Sequence, residues 1–171
     1  MYLFLSALIV VFLSTPAVAD DLACFDPGDL KKNVGIWEGT YRYYDMDGRM
    51  IDSHASLQVV QLECNDWVQK NTFTWAEGRK IVSDFHAQLV GRGSLHFDLE
   101  HISGDIKEES GNSVASWKNK QTASRHYQIL RFVNDDVRMR SIMNIDDRGP
   151  TGWVLGIEHR VKTQVEPKNK E

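Results

Sequence analysis

The sequence lacks most of the features that identify common functional classes. Its 171 residues include only two cysteines, too few for the dense disulfide framework of many small secreted domains. The 20 Lys and Arg residues are outnumbered by 24 Asp and Glu residues, so the electrostatic basis for non-specific nucleic-acid binding is missing. The Gly-x-Ser-x-Gly turn of many hydrolases does not occur. We therefore expect no nucleic-acid partner, and the sequence gives no sign of a hydrolase.

One long apolar run is present, at the start of the chain. Residues 2–13 are followed by Ser14-Thr15-Pro16 and then by Ala17-Val18-Ala19 before two aspartates. A short apolar run followed by small residues is typical of a secretory signal peptide. We therefore predict a signal peptide over residues 1–19, a secreted or periplasmic mature protein, and no stable membrane insertion after cleavage. An uncleaved anchor is the alternative, because no Lys or Arg precedes the run.

Export gives the two cysteines a structural role. Cys24 and Cys64 are the only possible pair, and an oxidising compartment favours a disulfide between them. Two free thiols in a reducing compartment are the alternative. A catalytic thiol is not favoured, because no activating base flanks either residue. The predicted bond ties the N-terminal segment, residues 20–34, to a turn.

The rest of the chain alternates between apolar and polar residues. Period-two segments rich in aromatic and β-branched residues predict nine strands, over residues 35–45, 49–62, 67–75, 80–90, 94–102, 105–116, 124–134, 137–145 and 152–163. Short connectors make neighbouring strands antiparallel, and closure removes both unpaired edges. The sequence therefore predicts an all-β protein: one up-and-down barrel of about 8–10 strands over residues 35–163. A short helical turn precedes it, and a charged tail, residues 164–171, follows.

The hairpin around Gly91-Arg92-Gly93 defines its own register. A three-residue loop places Val90 opposite Ser94 and Leu89 opposite Leu95. The other face then carries two histidines and three carboxylates, which are Asp84, His86, His96, Asp98 and Glu100. A divalent-metal site there is one interpretation, but alternate residues on a strand lie about 6.7 Å apart, too far for a local chelating motif. A solvated outer face is favoured, and we expect no metal and no cofactor.

The first hairpin has two possible registers, and they decide where His54 points. A two-residue Asp47-Gly48 turn pairs Tyr41 with His54 and directs His54 into the barrel. A three-residue loop, residues 46–48, directs His54 outward and gives the inner face more apolar residues, so it is favoured. If it faces inward, His54 is a weak candidate for an acid–base group.

The third strand places amides among aromatic rings on one face. Gln69 and Asn71 alternate with rings, and buried amides need partners. Rings with a few amides are typical of a small-molecule cavity, although a wet barrel mouth is the alternative. A later strand adds Arg131, either as a counter-charge for a carboxylate or as a residue of the barrel rim. The predicted ligand-binding residues are Tyr41, Tyr43, Gln69, Asn71, Phe73, Trp75, Phe85, Phe97, Arg131 and Met139.

The first and last strands carry a family resemblance. Gly35-Ile36-Trp37 resembles the Gly-x-Trp signature of lipocalins and the wider calycin group, and Arg160 stands where those barrels place a basic residue over that tryptophan. The stretch from Gly35 to Arg79 looks like a functionally uncharacterised lipocalin-like domain family, and the match covers roughly residues 33–110. The resemblance implies a calycin barrel closed by Trp37 and Arg160. It implies no established catalytic residues.

These features together favour a secreted lipocalin-like barrel that binds a small apolar or amphipathic ligand in its interior. Calycin relatives that attach bilins to phycobiliproteins, or that cyclise or isomerise lipophilic substrates, leave an enzymatic alternative. In that alternative His54 or a cavity tyrosine donates a proton. A structural or protein-binding module, filled by its own side chains, is the third possibility.

Overall fold

The barrel closes through its first and last strands. A computed structural model describes residues 23–162, so the predicted signal peptide (residues 1–19) and charged tail (residues 164–171) lie outside the described residues. Ten antiparallel strands form a ring in the order β1-β10-β9-β8-β7-β6-β5-β4-β3-β2. The strands are β1 Gly35–Tyr44, β2 Met50–Glu63, β3 Asp66–Thr74, β4 Lys80–Gly91, β5 Ser94–Asp98, β6 Ile102–Glu109, β7 Asn112–Asn119, β8 Arg125–Asn134, β9 Val137–Asp146 and β10 Gly149–Arg160. The prediction of an all-β closed barrel is confirmed.

The predicted division into nine strands is wrong in the middle of the chain. The strands expected over residues 94–102 and 105–116 are three strands, β5 to β7. Ser110 and Gly111 have φ values of 51° and 76°, and two central residues with positive φ form a tight hairpin turn that follows the natural twist of the strands. This turn divides the predicted strand 105–116 into β6 and β7, which gives ten strands.

A β-bulge decides the register of the first hairpin. The N–H of Asp45 donates to the carbonyl of Arg49 at 3.0 Å, so the loop has the favoured three residues. The register then shifts, because Tyr44 pairs with Met50 whereas Tyr43 pairs with Asp52. The extra residue, Ile51, bulges outward. The residues that follow it therefore face the directions that the two-residue turn predicts. His54 therefore faces inward, and the favoured prediction that it faces outward is wrong.

A second bulge lies in the β4–β5 hairpin. Gly91, not Val90, lies opposite Ser94, so the predicted pairing of Val90 with Ser94 is wrong. The register shifts between Leu89 and Gly91, and beyond the bulge Leu89 lies opposite Leu95, as predicted. The paired leucines are buried in the barrel core.

The 3-10 helix Gly28–Asn33 covers one end of the barrel, called here the closed end. Trp37 is fully buried there, and its indole N–H donates to the carbonyl of Asn33 at 2.8 Å. The guanidinium carbon of Arg160 lies 4.3 Å from the centroid of the Trp37 ring, and that of Arg138 lies 4.1 Å from it. The predicted contact of Trp37 with Arg160 is confirmed. Leu30 of the helix joins the core beside the indole.

The predicted disulfide is also present. Cys24 and Cys64 are bonded, which links the segment before the 3-10 helix to the turn between β2 and β3. Over residues 23–162, no helix has the length and apolar character needed to cross a membrane.

Candidate ligand-binding cavity

The barrel encloses a cavity of about 320 Å³. This volume lies at the lower end of the range of about 300–1,000 Å³ typical of small-molecule sites. It corresponds to about ten water molecules at the liquid share of roughly 30 Å³ each. Side chains from β1 to β9 line it, between the Trp37 end and the opposite end, called here the open end.

The two sides of the cavity differ in polarity. Strands β4 to β7 supply an apolar wall, in which the rings of Phe85 and Phe97 meet edge to face at 4.8 Å. The polar wall comes from β1, β2, β3, β8 and β9, and it carries Tyr41, Gln58, Gln69, Asn71, Gln128, Arg138 and Arg140. A cavity with one wall of each kind suits a molecule that has an apolar body and a polar end.

Arg138 is fully engaged by the protein. Its side chain is 1% exposed, and its Nε donates to Glu158 Oε2 at 2.8 Å. Its Nη1 donates to Asn33 Oδ1 at 2.9 Å and its Nη2 to Gln58 Oε1 at 2.8 Å. Burial lowers the pKa of the Arg138 guanidinium to about 10, so the group remains a cation at neutral pH. This arginine is a structural part of the closed end.

Glu158 on β10 is the buried counter-ion of this arginine. Its carboxylate also accepts a hydrogen bond from the hydroxyl of Tyr41 at 2.8 Å. Burial opposes ionisation, but the nearby charges of Arg140 and Arg138 outweigh it and hold the pKa of Glu158 below its usual value. Burial raises the pKa of Tyr41, so the phenol stays neutral and donates to the carboxylate.

Arg140 is less completely paired than Arg138. Its Nη1 donates to Gln128 Oε1 at 3.1 Å, and its Nη2 lies 3.2 Å from Gln58 Oε1 and 3.4 Å from Glu158 Oε2. Its Nε is buried and has no hydrogen-bond partner among the described residues. Two guanidinium groups therefore share one carboxylate. Both border the cavity, and Arg140 is the less completely paired of the two.

His54 lies among four aromatic rings toward the open end. The centroids of the Tyr41, Tyr43, Phe73 and Trp75 rings are 5.4, 5.3, 4.9 and 4.6 Å from that of the imidazole. The residue is 4% exposed, and neither ring nitrogen has a hydrogen-bond partner within residues 23–162. Burial lowers the pKa of His54. The imidazole is therefore neutral at pH 7, with one donor and one acceptor unused.

Contacts with two charged side chains hold Trp75 against His54. The Trp75 indole N–H donates to the Asp52 carboxylate, 2.9 Å from Oδ2, and the guanidinium of Arg79 stacks over the ring at 3.6 Å from its centroid. These three residues form the part of the rim nearest the histidine. Trp75 thus shields the imidazole instead of lining the main cavity.

Most of the predicted binding residues lie where the sequence placed them. Seven line the cavity, which are Tyr41, Tyr43, Gln69, Asn71, Phe73, Phe85 and Phe97. Arg131 and Met139 do not, because they pair with each other on the outer surface, where Met139 is 47% exposed. Their predicted place in the cavity is wrong. The apolar content of that face suggested an inner wall, whereas the inner face of β8 and β9 carries Gln128, Arg138 and Arg140, which are paired with other side chains, beside Leu130 and Ile142.

Several polar residues in or beside the cavity were missed by the sequence interpretation. Gln58, Gln128, Arg138 and Arg140 line the cavity, and Glu158 is paired with Arg138. One available signal was the alternation of side chains along β10. Residues two apart on a strand share a face, so a strand that directs Arg160 over Trp37 directs Glu158 the same way. A carboxylate inside a barrel requires a cation beside it, and β9, the neighbour of β10, offers Arg138 and Arg140 at inward positions.

Within residues 23–162, no group of three or more His, Cys, Asp or Glu side chains is arranged to hold a metal ion. The polar face of the β4–β5 hairpin is exposed, and His96 pairs there with Asp105 of β6 at 2.9 Å.

The closed antiparallel barrel, with an indole and an arginine packed at one end, is a calycin fold of the lipocalin-like type. It is similar to the S-type phycobiliprotein lyase CPES from Guillardia theta, with a TM-score of 0.63 and 15% identity over 78% of this chain and 91% of that chain. A protein of unknown function from the DUF3598 family of Nostoc punctiforme has a TM-score of 0.61 and 24% identity, over 81% of this chain and 50% of that chain. Rv2717c from M. tuberculosis has a TM-score of 0.58 and 12% identity, over 78% of this chain and 95% of that chain.

These similarities establish the fold alone, because every identity is low. The chain spans half the length of the Nostoc punctiforme protein. No family model and no curated protein matches the sequence.

Proposed function

We propose that this protein binds a small apolar or amphipathic molecule inside its barrel. One observation carries the proposal: the barrel contains a cavity of about 320 Å³, lined on one side by aromatic and aliphatic side chains and on the other by several polar ones. A barrel filled by its own side chains leaves no such space, because protein interiors are close-packed. Apolar walls with a few polar groups are typical of small-molecule sites.

The site of action that we propose is outside the cytoplasm, in a secreted or periplasmic location. The apolar leader of residues 1–19 and the Cys24–Cys64 bond both support it. Structural disulfides persist in oxidising compartments.

Native mass spectrometry of protein purified from its own host tests the proposal directly, and we expect a co-purifying small molecule. Titration with fatty acids of short and medium chain length complements it, because Trp67 and Trp117 line the cavity and report occupancy by quenching. Protein that carries no extra mass and shows no quenching by any of these ligands would instead be a barrel without a ligand.

A matched pair of variants locates the binding. Ala115 is 2% exposed and lines the cavity, so Ala115→Phe fills part of the volume and should weaken binding. Ser116, the next residue, is exposed on the outer face, and Ser116→Phe should leave binding unchanged. Equal effects of the two substitutions would place the ligand outside the barrel.

A second candidate function is catalysis on a lipophilic substrate, and His54 is the observation that favours it. A neutral imidazole beside a cavity can take up and return a proton, as isomerases, cyclases and lyases require. We propose to incubate the co-purified molecule with the protein in heavy water. Uptake of deuterium on carbon that is lost in His54→Ala would indicate an enzyme. Binding without exchange in both proteins would indicate a carrier.

A further inference from the structure

We infer that the ligand is an organic acid, and that Arg140 binds its carboxylate while the apolar wall of β4 to β7 holds its body. This inference rests on the proposed function, since it names the chemical class of the molecule in the cavity. It depends on the unequal states of the two inner arginines and on the charge that they leave unbalanced.

Arg138 cannot take the ligand without breaking the closed end. Its three nitrogens already donate to Glu158, Asn33 and Gln58 at 2.8–2.9 Å, and its side chain is 1% exposed. Its guanidinium also stacks over the Trp37 ring. Arg140 differs in each respect. It is 13% exposed, its three contacts are longer, at 3.1–3.4 Å, and its Nε donates to no described residue.

The guanidinium of Arg140 has donor capacity left for a carboxylate. A guanidinium presents five N–H groups, and the protein makes three contacts with this one, at 3.1–3.4 Å. Carboxylates bind guanidinium groups through short, charge-assisted hydrogen bonds. The protein supplies Arg140 mainly with the neutral amide oxygens of Gln58 and Gln128. These contacts orient the guanidinium without neutralising it.

The charge inside the barrel points to an anion. Two guanidinium groups face the single carboxylate of Glu158, whose shorter contact, at 2.8 Å, is with Arg138. Asp84 borders the cavity but is exposed, and Asp52 is bound to Trp75. One positive charge is left at Arg140. In a partly dry cavity, an unbalanced charge favours a ligand of opposite charge.

The apolar wall limits the rest of the ligand. Across the cavity from the polar wall lie aromatic and aliphatic side chains of β4 to β7, including Phe85, Phe97, Ile106 and Trp117. The volume of about 320 Å³ admits a body of roughly ten heavy atoms, at a share of about 30 Å³ each for a water-sized group. A medium-chain or aromatic monocarboxylate meets both conditions.

Paired probes that differ only at the head group test this inference. We would titrate decanoate and decan-1-ol calorimetrically into the unliganded full mature protein at pH 7. We expect decanoate to bind at least about tenfold more tightly than the alcohol, as hydrogen bonds to charged groups predict. Arg140→Gln should weaken decanoate binding by about tenfold to a hundredfold and leave decanol binding nearly unchanged. Arg131→Gln removes an outer-face arginine of the next strand and should change neither affinity.

The outcomes separate this inference from the proposed function. Equal binding of acid and alcohol by the wild type, or an Arg140→Gln variant that keeps the preference, would overturn the carboxylate assignment and leave a binding barrel. Binding of neither probe, together with no co-purifying mass in native mass spectrometry, would overturn the proposed function itself. If Arg140→Gln does not fold, Arg140→Lys keeps the charge but loses the fork. It should then show a reduced preference for the acid.

Discussion

Replacing Glu158 with glutamine should destabilise the barrel strongly. The carboxylate is fully buried, and it faces Nε of Arg138 at 2.8 Å, Nη2 of Arg140 at 3.4 Å and the hydroxyl of Tyr41 at 2.8 Å. Glutamine has nearly the same size, so the substitution removes the charge and creates almost no cavity. Two buried guanidinium groups are then left without a counter-ion.

The expected magnitude follows from that loss. Breaking a buried ion pair by removing one partner costs about 3–5 kcal/mol. For a domain of this size, such a loss lowers Tm by roughly 10–15 °C. The change also has a defined pH dependence, because the pKa of Glu158 is held below its ordinary value of 4.5. The carboxylate therefore stabilises the fold above that pH, and its contribution is lost as the pH falls through the lowered pKa.

Urea unfolding of the wild type and Glu158→Gln, at pH 7 and at several acid pH values, measures both effects. The difference in free energy of unfolding should be full at pH 7 and should narrow in acid. Glu38→Gln is the control, because Glu38 is exposed on β1 and its replacement should change stability by less than about 0.5 kcal/mol. A difference below about 1 kcal/mol at pH 7, or one that persists unchanged in acid, would refute the assignment of Glu158 as the buried counter-ion.

Three further stability predictions follow from the same structure. Reduction of the Cys24–Cys64 bond, which closes a loop with a sequence separation of 40, should lower the free energy of unfolding by about 4 kcal/mol, measured by urea titration with and without reductant. His54→Phe should raise stability by about 1–3 kcal/mol at pH 7, because two unpaired nitrogens disappear. Burial lowers the pKa of His54 from 6.5, so the wild type should also lose stability below that pH relative to the variant, and parallel pH curves would contradict this. Gly104→Ala should lower the free energy of unfolding, measured by thermal unfolding, by at least about 2 kcal/mol, because an added Cβ would collide with Trp117. An unchanged free energy of unfolding would show that the two strands can separate at this position.

The architecture was accessible from the sequence because the alternation and the turns are local signals. Gly35-Ile36-Trp37 and Arg160 predicted which strands meet at the seam, and the structure pairs Trp37 with Arg160 directly. The Cys24–Cys64 bond followed from a count of two cysteines. Such features depend on short stretches or on the absence of alternatives, so a single sequence suffices.

The direction in which individual side chains point was harder to predict, because one extra residue reverses which side chains of a strand face the barrel interior. The bulge at Ile51 directs His54 inward although the loop itself has the predicted length. Bulges depend on strain across two strands, and no residue type marks them reliably. On β8 and β9 the error had another cause, since Arg131 and Met139 belong to the more apolar face, which the barrel leaves outside. Counting apolar residues fails where the interior is built from paired charges.

The pairing of β1 with β10 has a consequence for folding during protein synthesis. The hydrogen bond from Tyr41 to Glu158 spans 117 residues, and the stacking of Arg160 on Trp37 spans a similar length. Neither can exist while the last strand is still being synthesised. Contacts this distant along the chain also make folding slow. A chain of this topology therefore acquires its internal chamber only when its final strand is in place.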